Sequence, residues 1–212
     1  NIFKNTQDWS SPEDGLDPLP TWMLELPDPL IPRYVELADI NNDGYADAIV
    51  TVGEPEDGQL SGYDCGVYVF RFNGIQQDFL PFDYYPSSTP LGRVRIADMN
   101  GDQLPDLVCA IDFHSGSQAF ANTVRIFHQD CQNPGLFLPE QMLVAPNPES
   151  TIITCAVGDF HRQTGVTGGV NDIATWDMQL LSNNGNNPAC QSAAYTAYSP
   201  ALCFNEWDTY DM

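Results

Sequence analysis

The sequence predicts an all-β chain of antiparallel strands, arranged in three repeats of roughly 60 residues. Three observations carry this. Seventeen prolines and sixteen glycines cut the 212 residues into short pieces, several of them rich in β-branched and aromatic residues, such as Val67–Phe72 and Val124–Phe127. No stretch keeps a 3.6-residue apolar period, so helix content should be low. The segment Tyr34-Val35-Glu36-Leu37-Ala38-Asp39 recurs as Arg93-Val94-Arg95-Ile96-Ala97-Asp98 and, more weakly, as Thr154-Cys155-Ala156-Val157-Gly158-Asp159.

In chain order, residues 1–33 fall outside the repeat. Ser11 to Pro32 hold six prolines and five carboxylates, which reads as an extended arm with one edge strand at most. Repeat one covers 34–92 and repeat two 93–153, while 154–212 hold a degenerate third repeat and a tail. Each unit reads as strand, acidic loop, strand, variable hairpin, strand, then a Pro-rich stretch able to hold an outer strand. The apolar strands after the loops begin at Asp47, Asp106 and Asp172. The next begin at Val67, Val124 and Met178. The polar, aromatic tail from Asn186 is expected to supply the outer strand of the third unit. A unit of three or four antiparallel strands suits one propeller blade.

The acidic loops carry the chemistry. The first runs Asp39-Ile-Asn41-Asn-Asp43-Gly44-Tyr45-Ala-Asp47, the second Asp98-Met-Asn100-Gly-Asp102-Gln103-Leu104-Pro-Asp106. Oxygen side chains stand at positions 1, 3, 5 and 9 of both, and a backbone carbonyl at position 7 can add another. Calcium takes about six to eight oxygens, and alternate residues of a tight turn supply them; the ninth-position Asp can close the shell with both oxygens. Magnesium demands stricter octahedral order, and zinc prefers Cys or His, which neither loop has. An EF-hand needs Glu at position 12, where Val50 and Cys109 stand inside strands. The alternative for such loops is turn chemistry alone, since Asp, Asn and Gly favour turns without metal. In the third repeat, Asp159 and Asp172 stand 13 apart, against eight in the other loops. With His161 they form a weaker candidate set, not expected to bind calcium as the others do. Gln103 stands where the first loop has Gly44, so a left-handed backbone there is unfavourable.

In these residues the chain resembles the FG-GAP/VCBS repeat family, the blades of the integrin alpha-subunit propeller. The matching residues are Asp39, Asn41, Asp43, Asp47 and Asp98, Asn100, Asp102, Asp106, each set after an alternating apolar strand. The resemblance covers about residues 34 to 185. It implies calcium at both loops, with the carbonyls of Tyr45 and Leu104 as further ligands, and a binding scaffold rather than one particular ligand. Propellers close with about four to eight blades, so three repeats imply an incomplete or oligomer-completed ring, part of a longer chain or an open array.

Charge narrows the partners. With 29 Asp and Glu against seven Lys and Arg, the net charge is −22, which repels nucleic acid and anionic membranes. No apolar run approaches the length of a membrane span. Six cysteines without a CxxC pair suggest disulfides in an oxidising compartment. Cys190 with Cys203 is the first candidate pair, Cys65 and Cys131 are further candidates to bridge, and Cys109 and Cys155 read as buried apolar residues. His114, His128 and His161 read as surface or hairpin residues, and no catalytic motif is evident. Of four tryptophans, Trp9, Trp22 and Trp207 lie in the termini and read as anchors; Trp176 lies in the third repeat, and any of the four is a candidate sugar platform.

The reading is therefore an extracellular or cell-surface, non-catalytic, calcium-binding β-repeat protein for adhesion, recognition or assembly, with a protein or glycan ligand and self-association. The alternatives are a structural subunit of a surface filament or sheath, and a lectin or accessory module of a secreted hydrolase.

Overall fold

The acidic loops lie at the turns between the first and second strands of the first two of three sheets. A computed structural model describes residues 2, 21–27, 30–53, 65–111, 122–145, 152, 154–158, 171–175, 180–183 and 195–198. Sheet one contains β1 (Ile31–Ala38), β2 (Asp47–Gly53), β3 (Gly66–Phe70) and β6 (Asp83–Pro86), in that order, with a small hairpin of β4 (Phe72–Asn73) and β5 (Asp78–Phe79) beside it. Sheet two runs β7 (Leu91–Ala97), β8 (Asp106–Ile111), β9 (Thr123–Phe127), β10 (Gln141–Val144). Sheet three runs β11 (Cys155–Gly158), β12 (Asp172–Thr175), β13 (Leu180–Asn183), β14 (Tyr195–Tyr198). All pairings are antiparallel, and no helix occurs among the described residues. The tail does provide the outer strand of sheet three, β14.

The registers repeat. Ala38 pairs with Asp47, Ala97 with Asp106 and Gly158 with Asp172, so each acidic loop leaves its sheet at the same rung. Both β1 and β7 also carry an irregularity near their starts, between Pro32 and Tyr34 and between Leu91 and Val94.

The core lies between sheets. Ile49, Val67 and Val69 of sheet one meet Val94, Leu107, Cys109 and Phe127 of sheet two. On the other face of sheet two, Val108, Ala110, Val124 and Ile126 meet Ile152, Cys155 and Ile173. With both faces covered, β8 and β9 are buried throughout, which is why their sequences read as continuous apolar runs rather than alternating ones. Strands of the first two sheets add directed contacts. The Thr51 hydroxyl donates to the Gly92 carbonyl at 2.6 Å. The Arg93 guanidinium stands 5.3 Å from the centre of the Tyr34 ring.

The outward face of sheet one (Ala48, Val50, Val52, Tyr68, Phe70) is partly covered by Ile2, Leu24, Leu26 and Leu30. Trp22 anchors that segment. Its ring meets Phe72 and Phe79 edge-on at 5.4 and 5.9 Å, its indole N–H donates to Gln77, and its backbone bridges to Ile2.

Two expectations are corrected. Cys65 is a buried thiol rather than half of a bridge at a hairpin end. His128 is buried, not on the surface, because it follows β9 directly and its ring is held by Asp106 and Gln141 of the same sheet. Cys109 and Cys155 are buried free thiols as expected. Burial pushes the Cys155 thiol up to about 11 and raises Cys109 well above its usual range. Cys190, Cys203, Trp9, Trp176, Trp207, His114 and His161 lie outside the described residues.

Candidate functional site

The two loops fold alike because their side chains replace the missing strand ladder. In the first, Asp39 accepts from the Asp43 N–H at 3.1 Å and the Gly44 N–H at 2.8 Å. Asn41 accepts from the Asp43 N–H at 3.0 Å, and Asp43 from the Tyr45 N–H at 2.9 Å. In the second, Asp98 accepts from the Gly101 N–H at 2.7 Å and the Gln103 N–H at 2.8 Å. Asn100 accepts from the Asp102 N–H at 3.0 Å, and Asp102 from the Leu104 N–H at 2.9 Å. In each loop the Asn amide also donates to the fifth-position Asp at 3.0 Å. These are Asx turns in sequence, the local chemistry that Asp and Asn offer when helix and sheet are absent.

The backbone obeys the same plan. Positions 4 and 6 are left-handed in both: Asn42 (φ 58°) and Gly44 (φ 88°), then Gly101 (φ 80°) and Gln103 (φ 68°). Asn tolerates this region, whereas Gln is disfavoured there by about 1 kcal/mol or more. Gln103→Gly should therefore raise stability by roughly 0.5–1 kcal/mol. Thermal denaturation would show this as a melting point higher by roughly 1–4 °C; an unchanged or lower value would contradict it.

The ninth position plays a separate part. Asp47 and Asp106 are fully buried, unlike the carboxylates at positions 1 and 5 of their loops. One oxygen of Asp47 accepts from Ile40 N–H at 3.2 Å and the other from Phe72 N–H at 2.8 Å. Asp106 likewise takes Met99 N–H at 2.8 Å and Gln129 N–H at 2.8 Å. Each carboxylate thus ties the start of its loop to the chain leaving the third strand of its sheet. Burial raises the pKa of Asp47, against the pull of its two backbone donors. Asp106 also meets His128 Nδ1 at 3.1 Å, while His128 Nε2 lies 2.8 Å from Gln141. Burial opposes the charged form of that ring, but the bond to Asp106 and its charge outweigh it, and the pKa is raised.

Neighbouring sheets reach into both loops. The Gln129 amide group donates to the Ile40 carbonyl of the first loop at 2.8 Å and to the Pro105 carbonyl of the second at 3.2 Å. Both neighbours are carbonyls, so the amide must present its NH₂ to them. Gly135, with φ 89°, brings the β9–β10 connection against Asn41, where a Cβ would lie 3.0 Å from the Asn41 Cβ. From sheet three, the Asn171 amide donates to the Asp98 carbonyl at 2.8 Å. Sequence reasoning passed over Gln129 and Asn171, and only the pattern of an amide residue after a strand or before one was there to find them.

The ten expected ligand residues therefore fall into three kinds. Asp39, Asn41 and Asp43, like Asp98, Asn100 and Asp102, gather oxygen donors in one turn, which suits a hard cation by donor chemistry. Tyr45 and Leu104 follow at the seventh position; the Tyr45 ring lies over Gly74, close enough to leave no room for a Cβ there. Asp47 and Asp106 are occupied by backbone donors. Among the described residues, no three acidic, His or Cys side chains already form a metal-holding cluster. Of the third set, Asp159 and His161 lie outside the described residues, and Asp172 is placed only by its backbone, at the rung matching Asp47 and Asp106.

No curated protein matches the chain. Residues 39–109, which begin at the first residue of one loop and run through the other into β8, match the family model described as the FG-GAP-like repeat, so this segment is similar to that repeat.

Proposed function

We propose that the chain is an extracellular, non-catalytic calcium-binding scaffold whose sheets act as propeller-type blades in adhesion, recognition or assembly. The observation that carries this reading is the duplicated loop: two turns rich in oxygen donors that share four hydrogen bonds, the same left-handed positions and the same place in the register. Asp39, Asn41, Asp43 and the Tyr45 carbonyl would hold one ion; Asp98, Asn100, Asp102 and the Leu104 carbonyl the other. Calcium would supply the positive charge that the loops' clustered carboxylates lack. The FG-GAP-like match supports the β-repeat framework. The six cysteines and the acidic composition support an oxidising, extracellular compartment. No helix of the described residues is long and apolar enough to cross a membrane.

Calorimetric titration of chelator-treated protein with calcium is expected to show two binding events and a higher melting temperature. Asp43→Ala and Asp102→Ala should each remove one event, and should lower stability more in calcium than in chelator. No heat and no gain in melting temperature would refute the reading.

A further inference from the structure

The internal repeat reveals which surface is unfinished. Val94 and Ile96 of β7 pair with Cys109 and Leu107, and this row packs against sheet one. Cys155 and Val157 of β11 pair with Thr175 and Ile173, and this row packs against sheet two. The matching residues of β1 are Val35 and Leu37, paired with Val50 and Ala48. Val94 is 0% exposed and Cys155 4%, yet Val35 is 55% exposed and Leu37 50%. The described arm residues Ile2, Leu24, Leu26 and Leu30 pack on the middle strands of that face, while the β1 row stays about half exposed.

We propose that a second copy of this chain docks on the β1 row, using the far face of its own sheet three. The argument is continuity. In each internal contact the preceding sheet offers its far face to the first-strand row of the next sheet. Sheet three ends the described series with a far face of its own, on which Ala174, the residue alternating with the inward Ile173 and the register partner of Leu180, is only half buried. One chain thus presents both halves of the contact it makes twice internally, and head-to-tail pairing joins them. This inference stands on packing and holds whether or not the loops bind calcium.

Light scattering coupled to size exclusion tests it on the full chain at about 50 µM, with calcium and with chelator. The expected mass is at least twice the 23.5 kDa of one chain. Association should strengthen with added salt, because the two copies each carry −22 and meet through apolar residues. The double variant Val35→Lys, Leu37→Lys should fall to single-chain mass with an unchanged circular dichroism spectrum, since both residues are exposed. Ala174→Lys should do the same, and Ile75→Lys, at a 96% exposed hairpin tip, should leave the mass as it was. A wild-type chain that runs as a monomer overturns the proposal, as does a doubly charged variant that keeps its mass. If only the β1 variant dissociates, the two copies meet sheet one to sheet one, and the assignment to sheet three fails.

Discussion

Asp106→Ala should lose about 3–5 kcal/mol of folding stability, and should do so in chelator as fully as in calcium. The fully buried carboxylate is the acceptor for the N–H groups of Met99 and Gln129, each at 2.8 Å, and for His128 at 3.1 Å. Truncation leaves buried donors without their acceptor, at about 1–3 kcal/mol each. Asp102 sits four residues earlier in the same motif, where it is only partly buried, so its replacement should cost far less in chelator and be felt mainly with calcium. Urea unfolding of both variants in chelator separates the two roles. If Asp106→Ala matches the wild type there, its carboxylate is a cation ligand and not a tether.

Glu140→Ala should be the next most damaging change, at about 3 kcal/mol. The Arg125 side chain is fully buried in β9, and Glu140 stands 3.4 Å from its Nε. Burial lowers the pKa of Arg125, and the charge of Glu140 works against that shift. Removing one partner of a buried ion pair costs about 3–5 kcal/mol; the lower end applies here because Glu140 keeps 20% of its side chain exposed. Glu140 also accepts from the Ser87 hydroxyl at 2.8 Å and the Ser88 N–H at 3.0 Å, so it holds the crossing from sheet one to sheet two. Glu140→Gln, which keeps the shape and one carbonyl acceptor, should lose about half as much. Exchanging both partners for leucine should recover most of the loss. Chemical denaturation of the series measures these differences, and a Gln variant as unstable as the Ala variant would show that charge alone matters.

Much of this was legible in the sequence. The Asp-x-Asn-x-Asp turns, their 59-residue spacing and the β-branched runs behind them each arise from local chemistry, and strands, turns and outer strands fell where that chemistry placed them. The unfavourable backbone at Gln103 was legible too, from its alignment with Gly44. What stayed hidden depends on distance along the chain. Gln129 finds its partner 89 residues away, and Glu140 finds Ser87 at 53; neither belongs to a motif, and each gains its role only when two sheets meet. His128 looked like a hairpin residue because nothing near it in sequence reports that sheet two is covered on both faces. The double duty of the loop aspartates was also concealed, since one letter serves both an open turn residue and a buried tether.

Gln129 has a mechanical consequence. Its one amide group is fastened to both acidic loops, and its own N–H to the tether of the second. A tug that opens either loop must stretch a bond whose other end is the neighbouring loop, so the pair should yield together under load. Two loops that look like separate beads on a string are thereby riveted into one fitting, with the rivet placed in a sheet junction rather than in either loop.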